Sequence, residues 1–355
     1  MPELPEVETV RRQLAPEVEG NILDRLEVID ARWCAPAPPA ELAAAVEGRR
    51  IEQLSRRGKH LIWELEDETY LVMHLRMTGN LLFRRLGVDH DPTAYVRARL
   101  VLGAPRSRKP RSRQPRSCAQ PGLGANAAAG SADLAAEVLF RDPRRFGTGL
   151  VILGDDARSS YFSRRLGVEP LSPEFTADAL RALAAGRRVP VKAFLLSQER
   201  LAGVGNIYAD EALFRARIHP LRPVGSLTRP RLVELRDAVV ASLERGIDAG
   251  GATIDDFRHT DGARGSSQDR LLVHRREGEP CPRCGRRIRK LRAAGRGTYV
   301  CERCQPPPRI RRSPPTAGAG GRRSPGPTTG AGGRRSPGPT AGPSGRRSPG
   351  PTAAA

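Results

Sequence analysis

The chain has 355 residues, with 60 Lys and Arg against 39 Asp and Glu, which gives a formal net charge of +21. This length allows two packed domains and further segments, and so large a positive charge indicates a polyanionic partner, nucleic acid rather than membrane. No apolar run approaches the roughly 18 residues of a membrane span, and the acidic, Pro-containing start is unlike a signal peptide, so we expect a soluble, intracellular protein with no membrane partner.

The positive charge is concentrated in three places. The segment 305–355 holds nine Arg and no acidic residue, 104–132 holds six Lys and Arg and no acidic residue, and 281–304 holds eight Lys and Arg with one Glu. The rest of the chain is close to neutral. We therefore expect a nearly neutral folded body whose basic charge lies on one small module and two disordered segments.

The first residues, Met-Pro-Glu, suggest a nucleophile. If the initiator Met is removed, Pro2 carries a free secondary amine, and α-amino groups titrate near ~7.7–8.0, so a sizeable fraction is neutral at pH 7. Such amines form Schiff-base intermediates. A helix is predicted over 5–14, and its N-terminal dipole favours the neutral amine, while Glu3 is an adjacent carboxylate that can move protons. The alternative is an ordinary start in which Pro and acidic residues merely begin a helix.

Residues 1–170 combine this helix with many short β-rich runs, which indicates a sheet-on-sheet domain rather than βαβ units. The insertion 104–132, rich in Pro, Arg, Ser, Gly and Ala, separates two of the strands and is predicted to be disordered. The predicted strands are 22–31, 49–54, 60–65, 70–75, 81–85, 94–102, 138–141 and 149–153.

In the second half of the chain the apolar residues recur at a different spacing. Over 174–258 the apolar residues recur at helical spacing, for example Leu232, Leu235, Val239 and Leu243, which predicts a mostly α-helical module. The tail 306–355 repeats Arg-Arg-Ser-Pro at 311, 322, 334 and 346 and cannot bury a core. We interpret the tail as a disordered, nonspecific polyanion tether.

Four of the six cysteines have the spacing of a metal site, and we expect Cys34 and Cys118 to be ordinary free thiols. Two CxxC pairs are separated by sixteen residues, and four thiolates leave no open position for a metal-bound water, so the sequence predicts one structural Zn²⁺. The Arg-rich hairpin between the pairs is suited to contact phosphates; the alternative is a solvated hairpin without a partner. The predicted ligands are Cys281, Cys284, Cys301 and Cys304.

A glycine-rich turn, GVGNIY at 203–208, resembles a dinucleotide-binding loop. Tyr208 occupies the third glycine position, however, and no βαβ unit surrounds the turn, so a dinucleotide cofactor is not expected. Because such a turn exposes backbone N–H groups at a helix N-terminus, a DNA phosphate is the better predicted ligand.

Together these motifs closely resemble bacterial formamidopyrimidine-DNA glycosylases. The resemblance covers about residues 1–305 without 104–132 and rests on MPELPEVETVRR at the start, RRGK at 56–59, HLRMTG at 74–79, DPRRFG at 142–147, GVGNIYA at 203–209 and the zinc finger. It implies an α+β protein with an N-terminal β-sandwich and flanking helices (1–170), a helix-two-turns-helix module (174–258), and a base-capping loop with a zinc β-hairpin (259–305), before the tail.

The resemblance also implies base excision repair. Such an enzyme is a bifunctional DNA glycosylase and AP lyase that removes 8-oxoguanine and formamidopyrimidines from damaged double-stranded DNA through a Pro2 Schiff base, followed by β,δ-elimination. It would act as a monomer in the bacterial cytoplasm, associated with the nucleoid. A base stacked inside the duplex is out of reach of the Pro2 amine, so the enzyme must flip the damaged base out of the helix.

Residue roles follow position by position from the same resemblance. The implied catalytic residues are Pro2 as nucleophile, Glu3 as acid, Lys59 in elimination and Arg296 on the leaving phosphate. The implied wedge that fills the gap left by the flipped base consists of Met77, Arg144 and Phe146. The implied DNA contacts are Glu6, His74, His90, Arg144, Arg187, Lys192 and Asn206.

The sequence departs from the family pattern at several positions. Ser266 and Ser267 stand where many relatives carry an aromatic pair that caps the flipped base, which bears on recognition of 8-oxoguanine more than on the lyase chemistry. His274 and Arg275 replace a usual Tyr-Gly, and Arg76 replaces a glycine in the wedge turn. Two other functions stay open: an endonuclease VIII-like glycosylase for oxidised pyrimidines, and a nonenzymatic zinc-finger protein that binds DNA with strong salt dependence.

Overall fold

A computed structural model describes residues 2–86, 94–104, 134–253 and 257–308. The predictions for Met1, His90 and Cys118, and almost all of those for the insertion 104–132 and the tail 306–355, lie outside these residues. Among the described helices, none has both the length and the apolar character needed to cross a membrane.

The N-terminal helix α1 spans Leu4–Val18, four residues beyond the predicted end. Glu3 and Glu6 form a capping box at its start, and the apolar residues Val7, Val10, Leu14 and Val18 are fully buried along one face. Pro16 lies inside the helix without ending it. Burial of Val18 stabilises the last turn beyond the proline.

Eight antiparallel strands form the sheet of the N-terminal domain, in the order β5-β7-β6-β1-β2-β3-β4-β8. Strands β1 and β2 pair through only two residue pairs, so the sheet divides into two four-stranded halves. Both halves contribute side chains to one apolar core, as expected for a β-sandwich. The strands are β1 Ile22–Val28, β2 Arg49–Arg57, β3 His60–Leu65, β4 Thr69–His74, β5 Asn80–Arg85, β6 Val96–Gly103, β7 Leu134–Arg141 and β8 Thr148–Leu153.

Each predicted strand is present; β3 has the predicted bounds and the others have shifted ends. Strand β1 ends at Val28 instead of residue 31, because the Asp30 carboxylate accepts a hydrogen bond from Arg32 N and begins a short 3₁₀ turn, Ala31–Trp33. The flanking helices that the resemblance implied without positions include two short ones, α2, Pro39–Val46, and α3, Asp155–Ser163.

The helical module has a separate apolar core. Its longest helix buries Leu232, Leu235, Val239 and Leu243, the residues predicted to share a face. One member of this core comes from elsewhere in the chain: Leu4, at the start of α1, packs with the module. The helices are α4 Ala177–Ala184, α5 Val191–Leu196, α6 Asn206–Arg215 and α7 Arg229–Asp248.

The C-terminal module is a two-stranded hairpin formed by β9, Arg289–Ala293, and β10, Arg296–Val300. It is attached to the end of α6, where Arg283 donates hydrogen bonds to the carbonyl oxygens of Phe214 (2.7 Å) and Arg215 (3.1 Å). The predicted fold class, a sheet domain followed by a helical module and a zinc-finger hairpin, is confirmed.

Candidate active site

The start of α1 is bound to the glycine-rich loop of the helical module. Leu4 N donates to the carbonyl oxygen of Gly203 at 3.0 Å. A Cβ at Gly203, which has φ +92°, would lie 2.6 Å from Leu4 Cδ1, and a Cβ at Gly205 would lie 2.1 Å from Glu3 Cδ. Both glycines are therefore required because they allow the N-terminal residues to approach the loop.

The carboxylate of Glu3 occupies the N-terminus of α6. Its Oε1 accepts from Ile207 N at 3.0 Å and its Oε2 from Tyr208 N at 3.3 Å. The anion held by these backbone N–H groups is therefore the side chain of Glu3, in place of the DNA phosphate predicted for this turn. Pro2 is buried beside it.

Glu6 lies one turn along α1 and is 1% exposed. Its carboxylate accepts three hydrogen bonds, from Glu3 N, the Tyr208 hydroxyl and Ala252 N, each at 2.7 Å. Burial and the nearby Glu3 raise the pKa of Glu6, and the three donors oppose this rise. Glu6 thus joins α1 to α6 and to the segment after α7, and its partners leave it poorly placed for the expected contact with DNA.

Lys59 lies in the turn between β2 and β3 and is 5% exposed. Glu169 fixes this turn by accepting hydrogen bonds from Arg56, from Arg57 (2.8 Å) and from Gly58 N (2.9 Å). Burial lowers the pKa of the Lys59 ammonium, an effect opposed by Glu3 and reinforced by Arg296. The charges of Glu3, at the start of α1, and of Arg296, at the tip of the finger hairpin, therefore both act on the Lys59 ammonium.

The predicted wedge residues lie in two turns. Met77 is 40% exposed in the turn before β5, and Phe146 is 50% exposed in the turn before β8, with the Arg144 guanidinium carbon 5.0 Å from its ring centroid. Asp142 organises both turns, since its carboxylate accepts from Thr78 Oγ1 and from the backbone N–H groups of three residues of the second turn. Met77 and Phe146 therefore expose their apolar side chains on turns whose conformation is held by hydrogen bonds to Asp142.

The first of these turns contains Arg76 in a left-handed conformation, with φ +54°. Its N–H donates to Nδ1 of His74 at 2.9 Å, a hydrogen bond that holds the backbone in this conformation. Burial and the neighbouring His60 lower the pKa of His74 to about 2. His74 is therefore neutral at physiological pH and can offer a phosphate only a hydrogen bond.

The remaining predicted DNA contacts lie in different environments. Arg187 is exposed and donates to the carbonyl oxygen of Leu183. Asn206, at the first turn of α6, donates through Nδ2 to Gly297 O at 3.1 Å. Lys192 is completely buried and all three of its N–H donors have partners, so the structure leaves it none for the expected DNA phosphate.

The four predicted zinc ligands converge at the base of the finger hairpin. All four Sγ atoms lie within 4.8 Å of one another, with Cys281 to Cys304 at 3.9 Å and Cys284 to Cys301 at 3.5 Å. A regular tetrahedron with Zn–S bonds of ~2.3 Å has sulfur–sulfur edges of about 3.8 Å, so the cluster fits one structural Zn²⁺.

We expect chelation of zinc to abolish DNA binding, because the small finger lacks a core large enough to fold without the metal. Zinc release measured with a chromogenic dye should parallel the loss of fluorescence anisotropy on a labelled duplex. Cys34→Ala, which removes a buried thiol outside the cluster, should retain one zinc and normal binding. DNA binding that survives complete zinc removal would contradict the assigned structural role.

The loop 257–270 contains the two serines of the predicted base-capping loop. Ser266 N donates to Ala249 O at 3.0 Å and Ser267 N to Gly251 O at 3.1 Å, so both serines are bound to the segment that follows α7. Ser267 is only 4% exposed. The two serines thus stabilise the loop and supply no stacking surface.

Sequence reasoning missed three residues that organise the site: Asp142, Glu169 and Tyr208. Asp142 could have been found, because it begins the DPRRFG motif and short acidic side chains commonly hydrogen-bond to backbone N–H groups in turns. Glu169 gave no such signal, since its partners lie more than 100 positions earlier in the chain.

Three family models match the chain in order. They describe the formamidopyrimidine-DNA glycosylase N-terminal domain (residues 1–149), the formamidopyrimidine-DNA glycosylase H2TH domain (166–258) and a zinc finger found in FPG and IleRS (278–307). A formamidopyrimidine-DNA glycosylase of Symbiobacterium thermophilum is 41% identical over 309 residues, which cover 87% of this chain and 90% of that protein.

Solved structures agree with these matches. A mutant Fpg of Lactococcus lactis in complex with DNA containing Fapy-dG is 30% identical, with a TM-score of 0.72, and the match covers 86% of this chain and all of that one. The complex of Lactococcus lactis Fpg with DNA containing an abasic site is 31% identical, with a TM-score of 0.71 and the same coverage.

Proposed function

Because the chain belongs to the formamidopyrimidine-DNA glycosylase family, we propose that this DNA glycosylase of base excision repair removes oxidised purines through a Pro2 Schiff base and then cleaves the abasic strand. The observation that carries the proposal is the position of Pro2. The residues that follow it, Glu3 and Leu4, are hydrogen-bonded to the glycine-rich loop and the start of α6. The charges of Glu3 and Arg296 both act on the Lys59 ammonium.

The first step is attack of the neutral Pro2 amine on C1′ of the damaged nucleotide. The bond from C1′ to the base nitrogen breaks, and the base leaves with a proton. Protonation of O4′ by Glu3 opens the sugar ring, and loss of the amine proton gives an iminium ion between the Pro2 nitrogen and C1′. The position of Glu3, one residue from the amine, supports this role.

The second stage is strand cleavage. Loss of a proton from C2′ of the iminium expels the 3′ phosphate, a second elimination expels the 5′ phosphate, and water then hydrolyses the iminium to regenerate the amine. Because burial lowers the pKa of Lys59, a larger fraction is neutral and able to accept the C2′ proton. The Arg296 guanidinium stabilises the negative charge of a departing phosphate.

Access to C1′ requires the damaged nucleotide to leave the helix. Met77 and Phe146 would fill the gap with apolar surface, and Arg144 would face the unpaired base on the other strand. Unstacking costs a few kcal/mol, which the contacts of the bent complex offset. Their exposure on two turns that Asp142 holds together supports this role, because grouped exposed apolar side chains can mark an interaction site.

The test is reductive trapping. Protein whose mature N-terminus is verified by mass spectrometry is incubated with borohydride and duplexes that carry 8-oxoguanine opposite cytosine, an oxidised pyrimidine, or no lesion. A covalent adduct mainly on 8-oxoguanine is the expected result. An adduct mainly on the pyrimidine would support the endonuclease VIII-like function instead, and binding without any adduct would support the nonenzymatic one.

The tail offers a separate prediction about affinity. Deleting 306–355, which removes nine Arg, should weaken DNA binding mainly at low salt and reduce the slope of log K against log salt, because fewer counterions are released. Turnover at saturating DNA should be unchanged. A large loss of turnover, measured under single-turnover conditions, would mean that the tail contacts the active site.

A further inference from the structure

A fully buried ion pair lies behind the tip of the finger hairpin. Lys192 Nζ, on α5, donates to Oδ1 of Asp210, on α6, at 2.7 Å, and both side chains are 0% exposed. Removing two charges from water costs several kcal/mol each, and apolar residues of similar size often stabilise such a site equally well. Stability alone therefore does not explain why charges occupy this position.

The remaining bonds of Lys192 lead to the finger. Its ammonium donates to Thr298 Oγ1 at 2.7 Å and to Gly297 O at 3.2 Å, and the Thr298 hydroxyl donates in turn to Arg296 O at 3.2 Å. A continuous chain of hydrogen bonds thus runs from the buried ion pair to the backbone of Arg296. The Arg296 side chain itself is exposed at the tip of the hairpin.

Asp210 connects the same ion pair to two further elements. Its Oδ2 accepts from Nδ1 of His274 at 2.8 Å and from Tyr299 N at 3.4 Å. The hydrogen bond from His274 thus adds the segment before the finger to the elements that meet at Asp210. Helix α6, the segment before the finger and strand β10 meet at this one carboxylate.

Asn206 binds the same carbonyl oxygen of the hairpin as Lys192, because its Nδ2 donates to Gly297 O. Its Oδ1 is buried without a hydrogen-bond partner among the residues that the structure describes. Asn206 and Arg296 are therefore held next to each other by the backbone between them, and the ion pair fixes that backbone.

We propose that Lys192, Asp210, His274 and Thr298 form a positioning cluster that holds the Arg296 backbone against the first turn of α6, so that Arg296 and Asn206 engage the same strand at the phosphate that leaves. The cluster does not touch the substrate and acts through Arg296. This inference rests on the proposed function of Arg296 in strand cleavage. Loss of the cluster should therefore slow elimination more than base release.

The experiment uses Thr298→Val as its main variant, because Lys192→Met would leave the Asp210 carboxylate buried and unpaired, with a large cost in stability. Thr298→Val keeps the side-chain shape and removes the hydroxyl that bridges Lys192 and Arg296 O, while the bond from Lys192 to Gly297 O remains. Thr69→Val, which changes another fully buried strand threonine in the sheet domain, is the matched control. Zinc content and the melting temperature show whether each protein is folded.

Base release and strand nicking are measured separately in single turnovers at saturating 8-oxoguanine duplex. We expect Thr298→Val to slow nicking about tenfold, since small displacements of a catalytic group cost one to two orders of magnitude, and to leave base release within about twofold of the parent. In an Arg296→Ala background the same change should have no further effect on nicking. Equal slowing of both steps, or additive effects in the double variant, would overturn the proposal.

Hydrogen exchange provides a readout that does not depend on activity. Thr298→Val should accelerate amide exchange over 295–298, because the hairpin tip loses the hydroxyl bridge and keeps only the weaker contact of Lys192 with Gly297 O. Unchanged exchange would also overturn the positioning role. If Arg296→Ala nicks DNA normally, the proposed function of Arg296 fails, whereas the exchange result still decides whether the cluster positions this segment.

Discussion

Replacing Pro2 by Gly should slow base release by about 100-fold or more, equivalent to about 2.7 kcal/mol of activation free energy, while DNA binding is retained. The substitution leaves a primary amine without the ring that fixes the backbone angle at the N-terminus, so the nucleophile is weaker and less well oriented. Borohydride adduct should fall in parallel with base release, since both require attack on C1′.

Pro5→Ala is the matched control for this experiment. It removes a proline from the first turn of the same helix, at a residue that is also buried but carries no amine. Its adduct yield and base release should equal those of the parent. Full activity of Pro2→Gly, or of protein that mass spectrometry shows to retain Met1, would refute the assigned nucleophile.

The second large effect is expected for Glu3→Gln. Loss of a general acid typically slows a reaction by about 10²–10⁴-fold, and base release should fall within this range. The substitution also has a structural cost, because one of the two N–H groups at the start of α6 would face the new amide NH₂. We expect the free energy of unfolding to drop by about 1–3 kcal/mol, the cost of an unsatisfied buried donor.

Glu211→Gln separates these two contributions. Glu211 is another buried carboxylate that accepts backbone hydrogen bonds, from Leu272 N, Val273 N and His274 N. Urea unfolding of this variant should show a similar loss of stability, with base release changed only slightly. If Glu211→Gln lost as much activity as Glu3→Gln at equal stability, the acid role of Glu3 would be untenable.

The sequence predicted the strands well because apolar alternation and turn residues are local signals. It also predicted the cluster of four cysteines, since CxxC spacing constrains both pairs to one metal. The positions of the short helices α2 and α3 were not predicted, because helices of eight and nine residues have too few turns for their apolar residues to show a clear helical spacing.

Partnerships between distant residues could not be predicted. The glycine-rich turn correctly indicated exposed N–H groups at a helix start, but nothing local showed that an acidic side chain some 200 positions earlier would fill them. Lys192 was expected to contact DNA only because the family resemblance implied it. Its burial depends on Asp210 and on the finger, which only the folded chain brings together.

Leu4 belongs to the apolar core of the helical module, although the other buried apolar residues of its helix, Val7, Val10, Leu14 and Val18, belong to the core of the sheet domain. A recombinant fragment that began near residue 166 would lack this side chain and leave a void of about one leucine, a defect that commonly costs 2–5 kcal/mol. Expression of the module in isolation should therefore yield an unstable protein. Affinity tags belong at the other terminus, where they leave Leu4 and the proposed Pro2 nucleophile undisturbed.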